Sequence, residues 1–199
     1  FLQNLIGPHS GFFSVSWSLT VEEWFYLSVP LVFMVGLRVF NSRAIAIWST
    51  VGLVTVASLM ARYQYVVGFD ATWNNEMRQV AVLRLDSLIY GVAAAWLWLN
   101  HNVFLTRYKI HFFVLGVCFL GAGIVIRNDP EINQTHWMLL FLFPILSLGI
   151  SFWLPILATW RSEIEGEGVL AKSVRNISVW SYSLYLVHVP AMEGFSIFI

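Results

Sequence analysis

Charged residues are scarce in this 199-residue chain, and their scarcity excludes most classes of soluble protein. Only 11% of the residues are charged and 58% are hydrophobic, whereas about a quarter of the residues of an average soluble domain carry a charge. A mean hydropathy of +0.72 agrees with this bias. Because too few polar groups are present to cover a globular surface, the composition predicts an integral membrane protein.

Other absences narrow the function further. The 11 basic and 11 acidic residues leave no net charge, so nothing favours binding to nucleic acid. Cys118 is the single cysteine, which excludes an internal disulfide and a thiol-based metal site. The five histidines show no metal-binding spacing such as His-Glu-x-x-His, and we predict no metal ligands.

Long apolar segments make up most of the sequence. Six of them come near the roughly 17–25 residues with which a helix crosses the hydrocarbon core: Trp24–Phe40, Ala44–Ala61, Val80–Leu99, His111–Ile126, Trp137–Leu157 and Val179–Ile199. The connections are too short to hold a soluble domain. We therefore predict an all-α, polytopic transmembrane helical bundle in which residues 1–199 form part of a single membrane domain. The first residues lack the pattern of a signal peptide and the last segment has no polar exit, so we expect the chain to be a piece of a longer protein.

Basic residues are unequally divided between the two ends of these segments. By the positive-inside rule the end with more of them is cytoplasmic, which places the residues before Trp24 at the extracytoplasmic face. The first, third and fifth connections, which lie on one side of the membrane, carry seven basic residues: Arg38, Arg43, Arg107, Lys109, Arg161, Lys172 and Arg175. The other side has three: Arg62, Arg78 and Arg127.

Two adjacent carboxylates, Glu22 and Glu23, stand at the entrance to the first apolar segment. Ionised groups at membrane depth cost several kcal/mol unless they are partnered, so their presence there indicates a functional site. A structural explanation is also open. Ser18 or Thr20 could cap a helix whose first turn holds both glutamates, where the helix dipole favours negative charge.

A second pair of charges, Arg84 and Asp86, opens the third apolar segment. Residues two apart on a helix point in different directions, so each is expected to find partners on other helices. The planar guanidinium of Arg84 suits a carboxylate or a phosphate. Alternatively, both side chains reach out of the segment to the membrane surface.

The last segment places Ser181, Tyr185 and His188 on one helical face, at spacings of four and three. A polar ring within a span needs a partner, and Pro190 frees a backbone carbonyl at Leu186. His188 is therefore either a site residue or a hydrogen-bonded structural histidine.

Three segments together resemble the acyltransferase-3 family of integral membrane O-acyltransferases. Residues 17–26 read Trp-Ser-Leu-Thr-Val-Glu-Glu-Trp-Phe-Tyr and are followed by Pro30, residues 84–88 read Arg-Leu-Asp-Ser-Leu and are followed by Gly91, and residues 181–190 read Ser-Tyr-Ser-Leu-Tyr-Leu-Val-His-Val-Pro. Each is similar to a motif of that family, and they occur in the family's order.

The resemblance implies a fold of roughly ten spans, of which about six lie in this chain. It also implies transfer of an acyl group, usually acetyl, from cytoplasmic acyl-CoA to a hydroxyl of a glycan or glycolipid, in the plasma membrane of a bacterial-type cell. Acyl-CoA is then a substrate, and no tightly bound cofactor is expected. The remaining partner is membrane lipid.

The family's principal histidine lies on a first span that precedes Phe1, and His188 is not its equivalent. The resemblance therefore implies supporting roles for Glu22 and Glu23, substrate binding by Arg84, Asp86, Tyr185 and His188, and no activity from this chain alone. Two other classes stay open: a polytopic transporter, although no paired Gly/Pro-interrupted segments are found, and a non-catalytic membrane subunit.

Overall fold

The computed structural model describes residues 5, 16–69, 77, 79–132, 135–164, 172–173, 175–181, 183 and 185. Within these ranges the chain is almost entirely helical and contains no strand, which confirms the all-α prediction. A 3₁₀ turn, Val82–Arg84, leads into the third helix. The six long helices are α1 Ser16–Val39, α2 Arg43–Phe69, α3 Asp86–Arg107, α4 Lys109–Arg127, α5 His136–Ser151 and α6 Leu154–Ile164.

Five stretches of the described chain are long and apolar enough to cross a membrane, judged by length and composition. They correspond to the first five predicted segments, but three boundaries were wrong. The first helix begins eight residues before Trp24, at Ser16, and the second continues past Ala61 to Phe69. The third continues past Leu99 to Arg107, with a kink at His101. The sixth predicted segment, Val179–Ile199, lies mostly outside the described residues.

The fifth predicted segment, Trp137–Leu157, is interrupted. Its helix ends at Ser151, and α6 begins at Leu154 after a turn at Phe152 and Trp153. Pro155 is the second residue of α6, where its missing N–H removes no helical hydrogen bond. Pro155 is thus accommodated at the start of a helix, whereas Pro144 lies inside α5.

Short connections fix the order of the helices. Ser42 precedes α2, and its hydroxyl accepts a hydrogen bond from the Ile45 N–H at 3.5 Å, as an N-cap does. Between α3 and α4 only Tyr108 intervenes, and its N–H donates to the Phe104 carbonyl at 3.1 Å. Three residues therefore separate α1 from α2, and one residue separates α3 from α4.

Two apolar clusters hold the bundle together. One joins α1, α2 and α3 through Phe25, Val29, Val51, Val54, Ile89 and Ala93. The other joins the second half of α2, the segment before α3, and α5, through Val66, Met77, Val80, Leu83, Ile132, Leu139, Leu142 and Phe143. The beginning of α3 thus lies between α1, α2 and α5, which is where the candidate site is found.

The position of Arg62 corrects the sequence-based assignment of charges. The prediction placed it in a connection, whereas it lies within α2 and is fully buried. Removing it from the extracytoplasmic count leaves only Arg78 and Arg127 there, so the asymmetry of basic residues becomes larger. The proposed orientation is therefore favoured more strongly.

This orientation can be tested with an impermeant thiol reagent on intact cells. In a Cys118→Ala background, a cysteine at Ser42 is expected to be protected, because it lies at the basic end of α1 and α2. A cysteine at Asn128, which follows α4 and is exposed, is expected to be labelled. The reverse pattern would invert the orientation.

Candidate functional site

A fully buried ion pair joins α2 to α3. Arg62 Nη2 donates to Asp86 Oδ2, and both side chains are 0% exposed. Arg62 follows Thr55 and Ser58 at spacings of seven and four, so the three residues lie on one face of α2, and Ser58 is also buried. The expectation that Asp86 finds a partner on another helix is confirmed, and burial rules out its reaching to the membrane surface.

Arg84 contacts aromatic rings on two other helices. Its guanidinium carbon lies 5.0 Å from the ring centroid of Trp17 on α1 and 4.7 Å from that of Phe143 on α5. The side chain is half-buried. Because a 3₁₀ turn ends at Arg84 and α3 begins at Asp86, the two charged side chains diverge as the sequence predicted.

Both arginines, Arg62 and Arg84, lie over the ring of Phe143. Arg62 Cζ lies 5.7 Å from its centroid, and the ring itself is only 4% exposed. A cation over an aromatic face gains about 0.5–2 kcal/mol, more when it is desolvated. Phe143 therefore gives two positive groups a shared apolar support.

A hydrogen bond connects the first and the last sequence motif. The Ser18 hydroxyl and the Tyr185 hydroxyl are 2.6 Å apart, although 167 residues separate them in the chain. Ser18 adjoins Trp17, which stacks on Arg84. All three motifs are thus represented at one place: Trp17 and Ser18 from the first, Arg84 and Asp86 from the second, and Tyr185 from the third.

The site lies near one end of the bundle. Arg62 is seven residues before the end of α2 and Phe143 is seven residues after the start of α5, which at 1.5 Å per residue corresponds to about 10 Å. By the distribution of basic residues, this end is the extracytoplasmic one.

Glu22 and Glu23 stand apart from this cluster. Both are exposed, and they follow the first turn of α1, which contains no acidic residue. The alternative that they occupy the first turn of a helix capped by Ser18 or Thr20 was therefore wrong. Neither takes part in the hydrogen bonds and ion pairs that join the described residues of the cluster.

The last motif is only partly described. Tyr185 contacts Ser18, whereas the Ser181 hydroxyl donates to the Ser178 carbonyl at 2.7 Å. His188 lies outside the described residues, so its predicted role stays a prediction.

Sequence reasoning missed Arg62. Its hydropathy caused the predicted span to end at Ala61, and the residue was assigned to a connection. A signal was available, because Thr55, Ser58 and Arg62 follow a helical spacing within an otherwise apolar stretch. A polar stripe of this kind on a membrane helix indicates a buried partner.

In chemical terms the cluster is a cation site in apolar surroundings. Among the described residues, the guanidinium groups of Arg62 and Arg84 lie over Phe143, and the carboxylate of Asp86 pairs with Arg62. Guanidinium groups bind oxygen anions through directed N–H donors. Among the residues that the structure describes, no three metal-ligating side chains lie together.

Comparison with curated proteins finds similar sequences. Over 179 residues the chain is 29% identical to the O-acetyltransferase OatA of Staphylococcus aureus strains NCTC 8325, COL and MRSA252, a match that covers 87% of this chain and 28% of each relative. The chain is similar to an O-acetyltransferase. It spans less than a third of the length of these curated relatives.

No family profile matches the chain, and no solved structure matches it. The described chain has five apolar helices of spanning length, which supports an integral membrane protein.

Proposed function

We propose that this chain is part of a membrane O-acyltransferase that moves an acyl group, most simply acetyl, from acyl-CoA to a hydroxyl of a cell-surface glycan or glycolipid. The observation that carries the proposal is the convergence of three distant motifs at one cluster, which holds the half-buried Arg84. Similarity to O-acetyltransferases supports it independently. The membrane is then the plasma membrane of a bacterial-type cell.

The reaction needs positive charge at a defined point. The acceptor oxygen bonds to the thioester carbonyl carbon, the C–S bond breaks, and the hydroxyl proton ends on the sulfur of CoA. Negative charge develops on the carbonyl oxygen in the transition state, and a preorganised donor in apolar surroundings stabilises it. Arg84, half-buried between Trp17 and Phe143, is our candidate for that donor.

The depth of the site supports this assignment over an alternative in which Arg84 holds the phosphates of CoA. Those phosphates and the thioester lie at opposite ends of the CoA molecule, and CoA arrives from the cytoplasm. Arg84 lies at the end of the bundle away from the basic connections of α1 to α2 and α3 to α4. The acyl carbonyl is thus the part of the donor expected to reach it.

The other predicted residues receive supporting roles in this proposal. Tyr185, through its hydrogen bond to Ser18, lines the path of the acyl group with His188. Glu22 and Glu23 orient or deprotonate a histidine contributed by another part of the protein. Acyl-CoA is a substrate rather than a resident cofactor.

Arg84→Ala is expected to lower kcat for acetyl transfer at least about 10²-fold, because an oxyanion donor acts chiefly in the transition state. Acetylation of the cell-surface glycan is measured by mass spectrometry in cells, and kcat and KM in membranes supplied with acetyl-CoA. The full-length protein is used.

Arg127→Ala is the matched control, since Arg127 is exposed at the end of α4 on the same side of the membrane. It is expected to keep the wild-type rate. A normal rate for Arg84→Ala at normal expression would remove Arg84 from the site, and absence of acetyl transfer by the unmodified protein would refute the proposed function.

A further inference from the structure

A cleft lies near the end of α3, at the opposite end of this helix from Asp86. Its volume is about 430 Å³, which is within the usual range for sites that hold small molecules. The helix is interrupted there, because His101, which lines the cleft, has φ −137° and ψ 35°. The cleft therefore lies where the last turns of α3 depart from the regular helix.

Aromatic rings form part of the lining of this cleft. Phe104 and Tyr108 both line it, their ring centroids are 4.9 Å apart, and both side chains are exposed. The ring of His111 lies 5.7 Å from that of Tyr108. Stacking of a nucleic-acid base on an aromatic side chain contributes about 1–3 kcal/mol. The cleft thus offers a stacking surface to a planar ligand.

Consecutive polar side chains, Asn100, His101 and Asn102, also line the cleft. Asn100 Nδ2 donates to the Trp96 carbonyl at 2.8 Å, which holds that side chain in place. Asn102 is exposed. A carboxamide donates and accepts at once, and it matches the N7 acceptor and the N6 amino donor of adenine. Rings and carboxamides together suit a purine base better than an acyl chain.

Arg107 lines the same cleft, and its guanidinium carbon lies 5.9 Å from the ring centroid of Tyr108. This contact supports the position of the ring. Recognition of a base by stacking and by a carboxamide does not require that the charge of Arg107 be unpaired. The ligand class therefore follows from the rings and the amides.

The place of the cleft fits the donor substrate. By the distribution of basic residues, this end of α3 is the cytoplasmic one, where acyl-CoA arrives. Asn100 follows Asp86 by 14 residues within α3, a rise of about 20 Å along the helix. This separation is comparable with the distance between the base and the thioester of an extended acyl-CoA molecule.

We propose that this cleft binds the adenine nucleotide end of acyl-CoA, with the base stacked on Phe104 and Tyr108 and its edge hydrogen-bonded to Asn102. This inference rests on the proposed function. It adds the part of the chain that holds the donor at the end remote from the thioester.

The experiment measures binding of adenosine 3′,5′-bisphosphate, the nucleotide part of CoA, to the full-length protein in lipid nanodiscs by equilibrium dialysis. We expect Tyr108→Ala to raise Kd about tenfold or more, because the stacking surface is lost. Tyr108→Phe keeps the ring and is expected to restore binding to within about twofold of wild type. In acetyl transfer, Tyr108→Ala should raise KM for acetyl-CoA by a similar factor and leave kcat within about twofold.

Ile110→Ala is the matched control. Ile110 is an exposed apolar residue two positions from Tyr108, outside the residues that line the cleft, and its variant is expected to keep the wild-type Kd. Aromatic side chains at helix ends also anchor proteins at the membrane interface. An equal loss of binding in Ile110→Ala and Tyr108→Ala would indicate anchoring alone and would overturn the proposal.

A second ligand tests the predicted contact with Asn102. Inosine 3′,5′-bisphosphate has a carbonyl oxygen in place of the 6-amino group, so the wild type is expected to bind it about fivefold or more weakly than the adenosine compound. Asn102→Ala should bind the two compounds equally. This variant changes an exposed side chain, so it also provides a test if Tyr108→Ala does not fold. Discrimination that persists in Asn102→Ala would refute the assigned contact.

Failure of this inference and failure of the proposed function give different results. Nucleotide binding that is lost in Tyr108→Ala, in a wild-type protein that transfers no acetyl group, would support the cleft and refute the transferase. Acetyl transfer with the wild-type KM in folded Tyr108→Ala and Asn102→Ala would support the transferase and refute the cleft. Absence of nucleotide binding to the wild type would likewise overturn the inference.

Discussion

Arg62→Met, with Asp86 left in place, is expected to lower the free energy of unfolding by about 3–5 kcal/mol, the range seen when one partner of a buried ion pair is removed. Asp86 is 0% exposed, so water cannot replace the lost guanidinium. The change also removes a cation from the face of Phe143.

The double variant Arg62→Met, Asp86→Met removes both charges. It therefore distinguishes the cost of one unpaired buried charge from the contribution of the ion pair itself. Apolar side chains of similar length in place of a buried pair are often neutral or stabilising, so its stability is expected to match or exceed that of the wild type. Unfolding is followed in mixed micelles by loss of helical circular dichroism as denaturing detergent is added. Arg38→Met is the control, because Arg38 is exposed at the end of α1. Equal stabilities of Arg62→Met and Arg38→Met would show that Asp86 is not held by Arg62.

Much of the fold could be predicted from the sequence, because hydropathy over windows of spanning length is a direct physical signal. Boundaries were less predictable. The prediction ended the second span at Ala61 because Arg62 is costly in lipid, yet the helix continues to Phe69 since Asp86 compensates that charge. A local property of the sequence cannot include a partner that lies 24 residues further along the chain.

Only part of the candidate site could be predicted, because the sequence shows local geometry and does not show distant partners. The spacing of Arg84 and Asp86 correctly indicated that they diverge toward different helices, since that depends only on local geometry. Their partners could not be derived, because Phe143 is one of 16 phenylalanines and has no distinguishing local pattern. The contact of Ser18 with Tyr185 likewise depends on how distant helices pack.

The close approach of α4 and α5 leads to the other large stability effect. A Cβ atom built on Gly116 would lie 2.5 Å from Trp153 Cδ1 and 2.7 Å from the backbone oxygen of Gly149. Small residues let membrane helices approach closely and gain van der Waals contact. Gly116→Ala must therefore separate the two helices and displace the Trp153 ring, which packs on Phe113 at a centroid distance of 5.3 Å. We expect a loss of about 1–3 kcal/mol, the usual cost of overpacking a tight core.

Gly121→Ala is the matched control on the same helix, because a Cβ at Gly121 would have nothing within 4 Å. Alanine gains about 0.5–1 kcal/mol over glycine in a helix interior, and this gain is common to both positions. Gly121→Ala is accordingly expected to be as stable as the wild type or slightly more stable, and Gly116→Ala clearly less stable. The comparison uses the same detergent-induced unfolding, together with the change in tryptophan fluorescence that movement of Trp153 would cause. If both alanine variants gained stability to the same extent, α4 and α5 could not be in contact at Gly116, because the Gly149 carbonyl belongs to the backbone and cannot move aside without the helix that carries it.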